Sequence, residues 1–170
     1  MGFYQSYILP YLIHLAMRQQ TFAAYRNRVL ADAQGRVLEI GVGSGLNLPF
    51  YAPRVRQVIG LDPSSRLLAM ARRTACKLDG SIELIEGSAE VLPLENGSVD
   101  TVVTTWTLCS IPDARRALGE MRRVLRPGGS LLFVEHGLAP APKVRWWQDH
   151  LTPAWKRIGE AVTSTGRLRS

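Results

Sequence analysis

Three glycines spaced two residues apart, Gly41, Gly43 and Gly45, directly follow the apolar run Val37–Ile40. Because glycine has no Cβ, a turn of this kind lets a ligand lie against bare backbone. Many nucleotide sites use such a turn, so the glycines alone indicate little. The run also carries Glu39, whose carboxylate would repel a pyrophosphate but attract a cationic amino-acid group. S-adenosylmethionine has such a group and no phosphate, so it is the ligand that this motif favours.

A second carboxylate, Asp62, follows the apolar run 57–61. A free acid at the end of a buried strand is unfavourable unless it has partners. Two ribose hydroxyls would supply them, since a carboxylate can accept both in charge-assisted hydrogen bonds. Alternatively, Asp62 caps the helix that begins near Ser64. The sequence leaves both interpretations open.

Around these motifs the chain alternates short apolar runs with amphipathic segments. The pattern predicts strands at 37–40, 57–61, 82–85, 99–108 and 130–135. The pattern predicts a first helix over about 4–31 and a second that begins within 47–51. A third helix is predicted from Ser64 or Ser65 to about 77, and a fourth from Pro112-Asp113 to about 125. The Pro-Gly-Gly segment at 127–129 would end the fourth helix. Such alternation predicts an α/β fold with a mainly parallel, doubly wound sheet, whose ligands bind at the carboxyl ends of the strands.

Length and cysteine content narrow the class of protein. A chain of 170 residues fits one globular domain. Its two cysteines, Cys76 and Cys109, are far apart and in no metal-ligand spacing. We therefore expect no metal site, no disulfide framework and a reducing, cytoplasmic compartment. The N-terminus lacks the basic region of a signal peptide.

The net charge of +7 is concentrated at the two ends of the chain. Residues 1–30 contain Arg18, Arg26 and Arg28 and no acid, and residues 140–170 contain six Lys/Arg against two acids. Basic charge among apolar and aromatic residues suits a helix lying on an anionic membrane surface, although the N-terminal stretch is too short to span a bilayer. Alternatively, both ends are helices packed on the domain with solvated basic faces. No nucleic-acid motif accompanies the charge, so we expect no nucleic-acid partner.

An ordered series of motifs runs from 37 to 136. It comprises Glu39-x-Gly41-x-Gly43-x-Gly45, Leu61-Asp62, Gly87-Ser88-Ala89-Glu90, Val99-Asp100 and the segment 123–129. In this order and spacing the series resembles the class I S-adenosylmethionine-dependent methyltransferases. The segments 47–51, 108–113 and 134–136 are similar to a narrower group of small membrane-associated enzymes that methylate thiols or phospholipid amines. The resemblance implies a Rossmann-like sheet with an N-terminal helical cover, and a small or lipid-like thiol, amine or phenol as acceptor.

The resemblance also implies which residues bind the cofactor, S-adenosylmethionine. The glycine turn would pass under its methionine part, with Asn47 among the binding residues. Glu39 would either contact the cofactor's ammonium group through a water molecule or stabilise the conformation of the glycine loop. Asp62 would bind the ribose.

The adenine and the reacting methyl group would lie at the next two strand ends. Ser88, Ala89 and Glu90 would face the adenine, but many relatives have an acid at the position of Ser88, which leaves that contact open. Thr105 and Trp106 would lie beside the methyl group, unless Trp106 belongs to the core.

The reaction itself needs mainly alignment of the acceptor and exclusion of water. A thiol, with a pKa of about 8.5, needs no strong base. Asp113 and His136 are the candidates for assisting deprotonation.

The sequence departs from the family after the fifth strand. The family's sheet ends in an antiparallel hairpin, whereas 161–170 shows no strand pattern. The sequence therefore predicts a helical cover at 1–31, a binding domain at 32–160 and a tail at 161–170. It also predicts an exposed sheet edge that could pair in a homodimer.

Two other functions stay open. One is a truncated, non-catalytic cofactor-binding module. The other is a nicotinamide-dependent oxidoreductase, which would need a glycine at the position of Leu46.

Overall fold

The computed structural model describes residues 20–135, which form a five-stranded parallel sheet flanked by helices. The strands are β1 (Gly35–Ile40), β2 (Val55–Asp62), β3 (Ser81–Glu86), β4 (Val99–Thr105) and β5 (Leu125–Val134). The helices are α1 (Gln20–Leu30), α2 (Ser65–Ala75) and α3 (Ala114–Val124). The predicted α/β class and parallel sheet are confirmed.

The strand order in the sheet, β3-β2-β1-β4-β5, fixes where a ligand can bind. The chain moves outward from β1 through β2 to β3 and then returns to the other side of β1 with β4. This reversal leaves a crevice between the carboxyl ends of β1 and β4, where ligands bind in sheets of this kind. Both strands are almost completely buried, as expected for central parallel strands.

The two helices that flank the sheet begin at side-chain caps. Ser64 caps α2 by accepting a hydrogen bond from the Leu67 backbone N–H. Asp113 caps α3 by accepting one from the Arg116 backbone N–H. Both helix starts were predicted from the sequence and are confirmed, because a cap depends on residues only three positions apart. The buried face of α3 consists of Ala117, Met121 and Val124.

Three predicted boundaries were wrong. β4 ends at Thr105 rather than at 108, because Trp106 adopts a left-handed backbone (φ 52°) that breaks the strand. The helix expected to open at 47–51 is a single 3₁₀ turn, Leu48–Phe50. β5 begins at Leu125, directly after α3, so 127–129 lies within the strand instead of before it. The pairing of β4 with β5 absorbs this segment through a register shift between Val99 and Thr101.

Helix α1 and strand β5 lie at the two ends of the described residues, and a prediction was made about each of them. Helix α1 falls inside the predicted helical range 4–31, but the earlier residues lie outside the described part of the chain. β5 is an edge strand of the described sheet, and its Leu131 and Phe133 are exposed. Pairing of this edge in a homodimer stays a prediction. Within residues 20–135, no helix has the length and apolar character needed to cross a membrane.

Candidate functional site

The glycine turn leaves β1 at its carboxyl end, and its three glycines have different tasks. All have positive φ, at 68°, 56° and 79° for Gly41, Gly43 and Gly45, a region that other L-residues adopt at a cost. A Cβ on Gly41 would overlap the Thr107 side chain, and one on Gly45 would meet Leu48 at 2.9 Å. A Cβ on Gly43 would have only a carbonyl oxygen near it, at 3.9 Å. Gly41 and Gly45 therefore serve packing, whereas Gly43 is open to a ligand.

Glu39 is buried at the end of β1, with 1% of its surface exposed. Its carboxylate accepts hydrogen bonds from Asn47 Nδ2 at 2.9 Å and from the Tyr51 hydroxyl at 2.8 Å. Asn47 Nδ2 also donates to Thr105 Oγ1 at 3.0 Å, which joins the network to the end of β4. These contacts order the turn, as one of the two interpretations of Glu39 expects. A contact between Glu39 and a ligand ammonium stays a prediction.

Burial raises the pKa of Glu39 from an ordinary value of 4.5 to about 7. The hydrogen bonds from Tyr51 and Asn47 and the charge of Arg26 act in the opposite direction and only partly offset the burial. The folded state therefore holds this proton more tightly than the unfolded chain does. The stability linked to it is fully present below about pH 4.5 and is lost as the pH rises through about 7.

Glu39→Gln is expected to remove this pH dependence, because glutamine has a similar shape but does not titrate. Relative to the variant, the wild type should lose about 3 kcal/mol of unfolding free energy between pH 4.5 and pH 8. Urea unfolding of both proteins across this range measures the difference. Glu86→Gln, at an exposed position on β3, is the control and should follow the wild type. Parallel curves for wild type and Glu39→Gln would show that the burial of Glu39 does not govern its ionisation.

Asp62 ends β2 beside the glycine turn and is 5% exposed. Its Oδ2 accepts the Gly43 backbone N–H at 3.0 Å, and its Oδ1 accepts the Ser64 backbone N–H at 2.8 Å. Burial raises the pKa of Asp62, and these two bonds lower it. Each oxygen can accept a further hydrogen bond, so ribose hydroxyls would add to the present partners. Ser64, rather than Asp62, occupies the N-cap of α2.

The segment predicted to face the adenine lies after β3. Ala89 is buried, and Ser88 is exposed and accepts the Glu90 backbone N–H on its hydroxyl at 3.1 Å. The Glu90 carboxylate accepts the Asp113 backbone N–H at 2.8 Å. Glu90 therefore ties this segment to the start of α3, and its contact with adenine stays a prediction.

The two residues predicted to assist deprotonation have different outcomes. The Asp113 carboxylate accepts the Arg116 backbone N–H at 2.9 Å, so its observed contact is a helix cap. His136 lies outside the described residues. A role in deprotonation stays a prediction for both.

Trp106 directly follows β4 and is the one non-glycine residue with positive φ within 20–135. Its backbone N–H donates to the Val134 carbonyl oxygen at 2.7 Å. The guanidinium carbon of Arg26 lies 5.2 Å from the centroid of its ring, and the Phe22 ring packs against it edge-on, with centroids 4.9 Å apart. Strained backbone of this kind concentrates at functional sites. Trp106 is thus a half-buried residue under α1, at the crevice between β1 and β4.

Sequence reasoning missed two residues at this edge, Arg26 and Glu135. Glu135 Oε1 accepts the backbone N–H groups of Thr107 and Leu108, at 2.9 and 3.0 Å. Its Oε2 is buried and has no donor among the described residues. The signal that could have found Glu135 is the one that indicated Asp62, an acid directly after a strand. No comparable signal marks Arg26.

The residues at the carboxyl edge suit S-adenosylmethionine. Gly43 offers open backbone, and Asp62 offers acceptor positions for a ribose. Asn47 Oδ1 is buried and receives no hydrogen bond from residues 20–135, while Asn47 Nδ2 donates to Glu39. A contact between Asn47 and the cofactor stays a prediction.

Comparisons with known proteins bear on the same region. Residues 38–133 match the family described as a methyltransferase domain. The chain is 34% identical over 152 residues to thiol S-methyltransferase TMT1B of Homo sapiens, covering 87% of this chain and 62% of that protein. It is 41% identical over 104 residues to phosphatidylethanolamine N-methyltransferase of Cereibacter sphaeroides, covering 60% of this chain and 51% of that protein.

A solved structure extends the comparison to three dimensions. The YcgJ protein of Bacillus subtilis superposes with a TM-score of 0.65 at 27% identity, over 78% of this chain and 57% of that one. The chain thus spans between 51% and 62% of the length of these three proteins.

Proposed function

The chain belongs to the class I S-adenosylmethionine-dependent methyltransferases, and we propose that it transfers a methyl group from S-adenosylmethionine to a small or lipid-like acceptor. The observation that carries the proposal is the open backbone of Gly43 beside the buried carboxylate of Asp62, at the reversal point of the sheet. An oxidoreductase of the nicotinamide type would have to place a pyrophosphate beside Glu39, which is unfavourable.

Each part of the site has a task in this reaction. When bound, S-adenosylmethionine supplies a methyl group on a positively charged sulfur. Asp62 holds the ribose, and the turn around Gly43 holds the methionine part with help from Asn47. Trp106 and the residues of α1 above it close the crevice and exclude water. Alignment and water exclusion are the main requirements, because the methyl group is already activated.

We propose thiols as the first acceptor class, with amines and phenols as alternatives. The relatives support this order, since one is a thiol S-methyltransferase and another a phosphatidylethanolamine N-methyltransferase. A thiol also needs the least help with deprotonation at neutral pH. Glu90, Asp113 and Glu135 each have one carboxylate oxygen that already accepts a backbone N–H group.

We further propose that the protein works in the cytoplasm at the surface of an anionic membrane. Residues 1–30 contain no acid and three arginines, of which Arg28 is exposed and Arg26 is buried, and basic residues also dominate 140–170. Each basic residue near an anionic surface contributes about 1 kcal/mol to binding. Neither Cys76 nor Cys109 forms a disulfide in the described part of the chain, which is compatible with a reducing compartment.

Calorimetry and an acceptor screen test these proposals. We expect saturable binding of S-adenosylmethionine and little binding of NAD. Formation of S-adenosylhomocysteine is then followed with thiophenol, phenol and an alkylamine, with anionic vesicles, neutral vesicles or none. Turnover should be highest with the thiol, and the protein should co-sediment with anionic vesicles at low salt only.

Each part of the proposal can fail separately. A preference for NAD would refute the methyltransferase function, and cofactor binding without turnover on any acceptor would indicate a non-catalytic binding module. Equal sedimentation with both vesicle types, or none at low salt, would leave α1 as a packed cover and direct the search to water-soluble acceptors.

A further inference from the structure

Arg26 is a buried cation with an unsatisfied donor. It lies on α1 with 4% of its surface exposed, and its Nε is buried with no acceptor among residues 20–135. The ion pairs in this part of the chain join Asp100 and Glu120 to other arginines. A buried guanidinium is costly unless a hydrogen-bonded anion compensates for its lost hydration. Within the described part of the chain, Arg26 therefore lacks the hydrogen-bonded anion that would offset the cost of its burial, and an anionic ligand would supply it.

Arg26 lies at the ligand crevice between β1 and β4. Its guanidinium lies over the ring of Trp106, which follows β4. Burial lowers the pKa of Arg26, and the charge of Glu39, at the end of β1, raises it. Arg26 thus lies close to the carboxyl ends of both strands that border the crevice.

Aromatic packing holds this cation in place without satisfying its Nε–H donor. Phe22 and Arg26 are one helical turn apart on α1, so both side chains lie on the same face, and both contact the ring of Trp106. A ring face stabilises the charge but offers no oxygen to the Nε–H group. Trp106 in turn is held by its hydrogen bond to Val134. The cluster of Phe22, Arg26 and Trp106 therefore combines two aromatic rings with a cation whose Nε–H group lacks an acceptor among the described residues.

On the basis of the methyltransferase function proposed above, we propose that Arg26 binds the negatively charged group of the methyl acceptor and selects anionic acceptors, thiolates above all, over neutral amines. A thiolate is a large, weakly hydrated anion, and a guanidinium is a weakly hydrated cation. The aromatic rings of Phe22 and Trp106 suit the organic part of such an acceptor. The carboxylate of the cofactor is the other anion that could reach a cation here, and the experiment separates the two.

The test measures binding without turnover. Thiophenol, which is ionised at pH 8, and aniline, its neutral counterpart of similar shape, are titrated into the complex with S-adenosylhomocysteine. The proteins are wild type, Arg26→Met, Arg26→Lys and Arg28→Met, the last a matched control at an exposed position on the same helix. Arg26→Met should weaken thiophenol binding by about tenfold or more, and Arg28→Met should not change it. The Kd of S-adenosylhomocysteine should stay within about threefold in all variants.

Arg26→Lys keeps the inference testable if Arg26→Met does not fold, which thermal unfolding would show. Lysine keeps the charge but lacks the planar set of N–H donors, so we expect intermediate thiophenol binding and unchanged cofactor binding. Equal binding of thiophenol and aniline by the wild type would overturn the inference. So would a loss of S-adenosylhomocysteine affinity in Arg26→Met with thiophenol unaffected, since Arg26 would then serve the cofactor. If the wild type binds no cofactor, the proposed function itself fails.

Discussion

Gly43→Ala is expected to weaken binding of S-adenosylmethionine by about tenfold or more while leaving the sheet folded. The added methyl group would project into space that no described residue fills, next to the backbone that a ligand would contact. The left-handed backbone at this position (φ 56°) adds a strain of about 1–2 kcal/mol, which a folded domain can tolerate. Calorimetry gives the change in affinity, and urea unfolding gives the change in stability.

Gly41→Ala is the matched comparison, because it makes the same chemical change two residues away. Its new methyl group would collide with the Thr107 side chain, so we expect a loss of about 3 kcal/mol or more in unfolding free energy. Gly80→Ala, which has open space and no positive φ, sets the baseline. If Gly43→Ala binds cofactor normally, or if both turn variants lose only stability, the open face of Gly43 is not where the cofactor binds.

Asp62→Ala is expected to reduce the affinity for S-adenosylmethionine by about 1–3 kcal/mol, the usual cost of leaving the partners of a charged acceptor unmatched. The variant loses the acceptor positions proposed for the ribose. It also frees the Gly43 backbone N–H, which Asp62 Oδ2 now accepts at 3.0 Å, so the turn loses part of its order. Calorimetry with the cofactor and with S-adenosylhomocysteine should show the same loss, because both carry the ribose.

Ser64→Ala separates cofactor binding from helix stability in this experiment. Its hydroxyl accepts the Leu67 backbone N–H and caps α2, so its loss should cost about 1 kcal/mol of stability with unchanged affinity. Should Asp62→Ala behave in the same way, with lower stability and normal affinity, the carboxylate would only hold the local backbone.

Local sequence patterns determined the elements of this fold. Ser64 and Asp113 were recognised as helix starts, because a cap and its N–H donor are three residues apart. The apolar runs before Gly41 and Asp62 predicted β1 and β2, since burial on both faces demands apolar residues at successive positions. The alternation of strands and helices then left few topologies, and the parallel sheet is among them.

The sequence also indicated a ligand at the glycine turn, but not how the turn is held. Glu39, Asn47 and Tyr51 lie within thirteen positions of one another, yet nothing in their spacing predicts that both donors reach one buried carboxylate. Nor does spacing distinguish Gly43, which is open, from Gly41, which is closed by Thr107. That difference depends on a residue from the far side of the crevice.

Only the tertiary structure decided the end of β4 and the environment of Arg26. Val99 to Leu108 is rich in β-branched residues and, apart from Asp100, uncharged, so the sequence predicts one strand throughout. The strand stops at Thr105 because Val134, at the end of β5, and Glu135, directly after it, accept hydrogen bonds from the backbone of residues 106–108. In the sequence, Arg26 is one of several basic residues on a predicted helix. In the structure it is buried because α1 packs across Trp106, 80 positions away in the chain. The spacing of apolar residues along the sequence indicates which positions are buried and which hydrogen bonds are local. Contacts between distant segments depend instead on the strand order, because its reversal brings the carboxyl ends of β1 and β4 together.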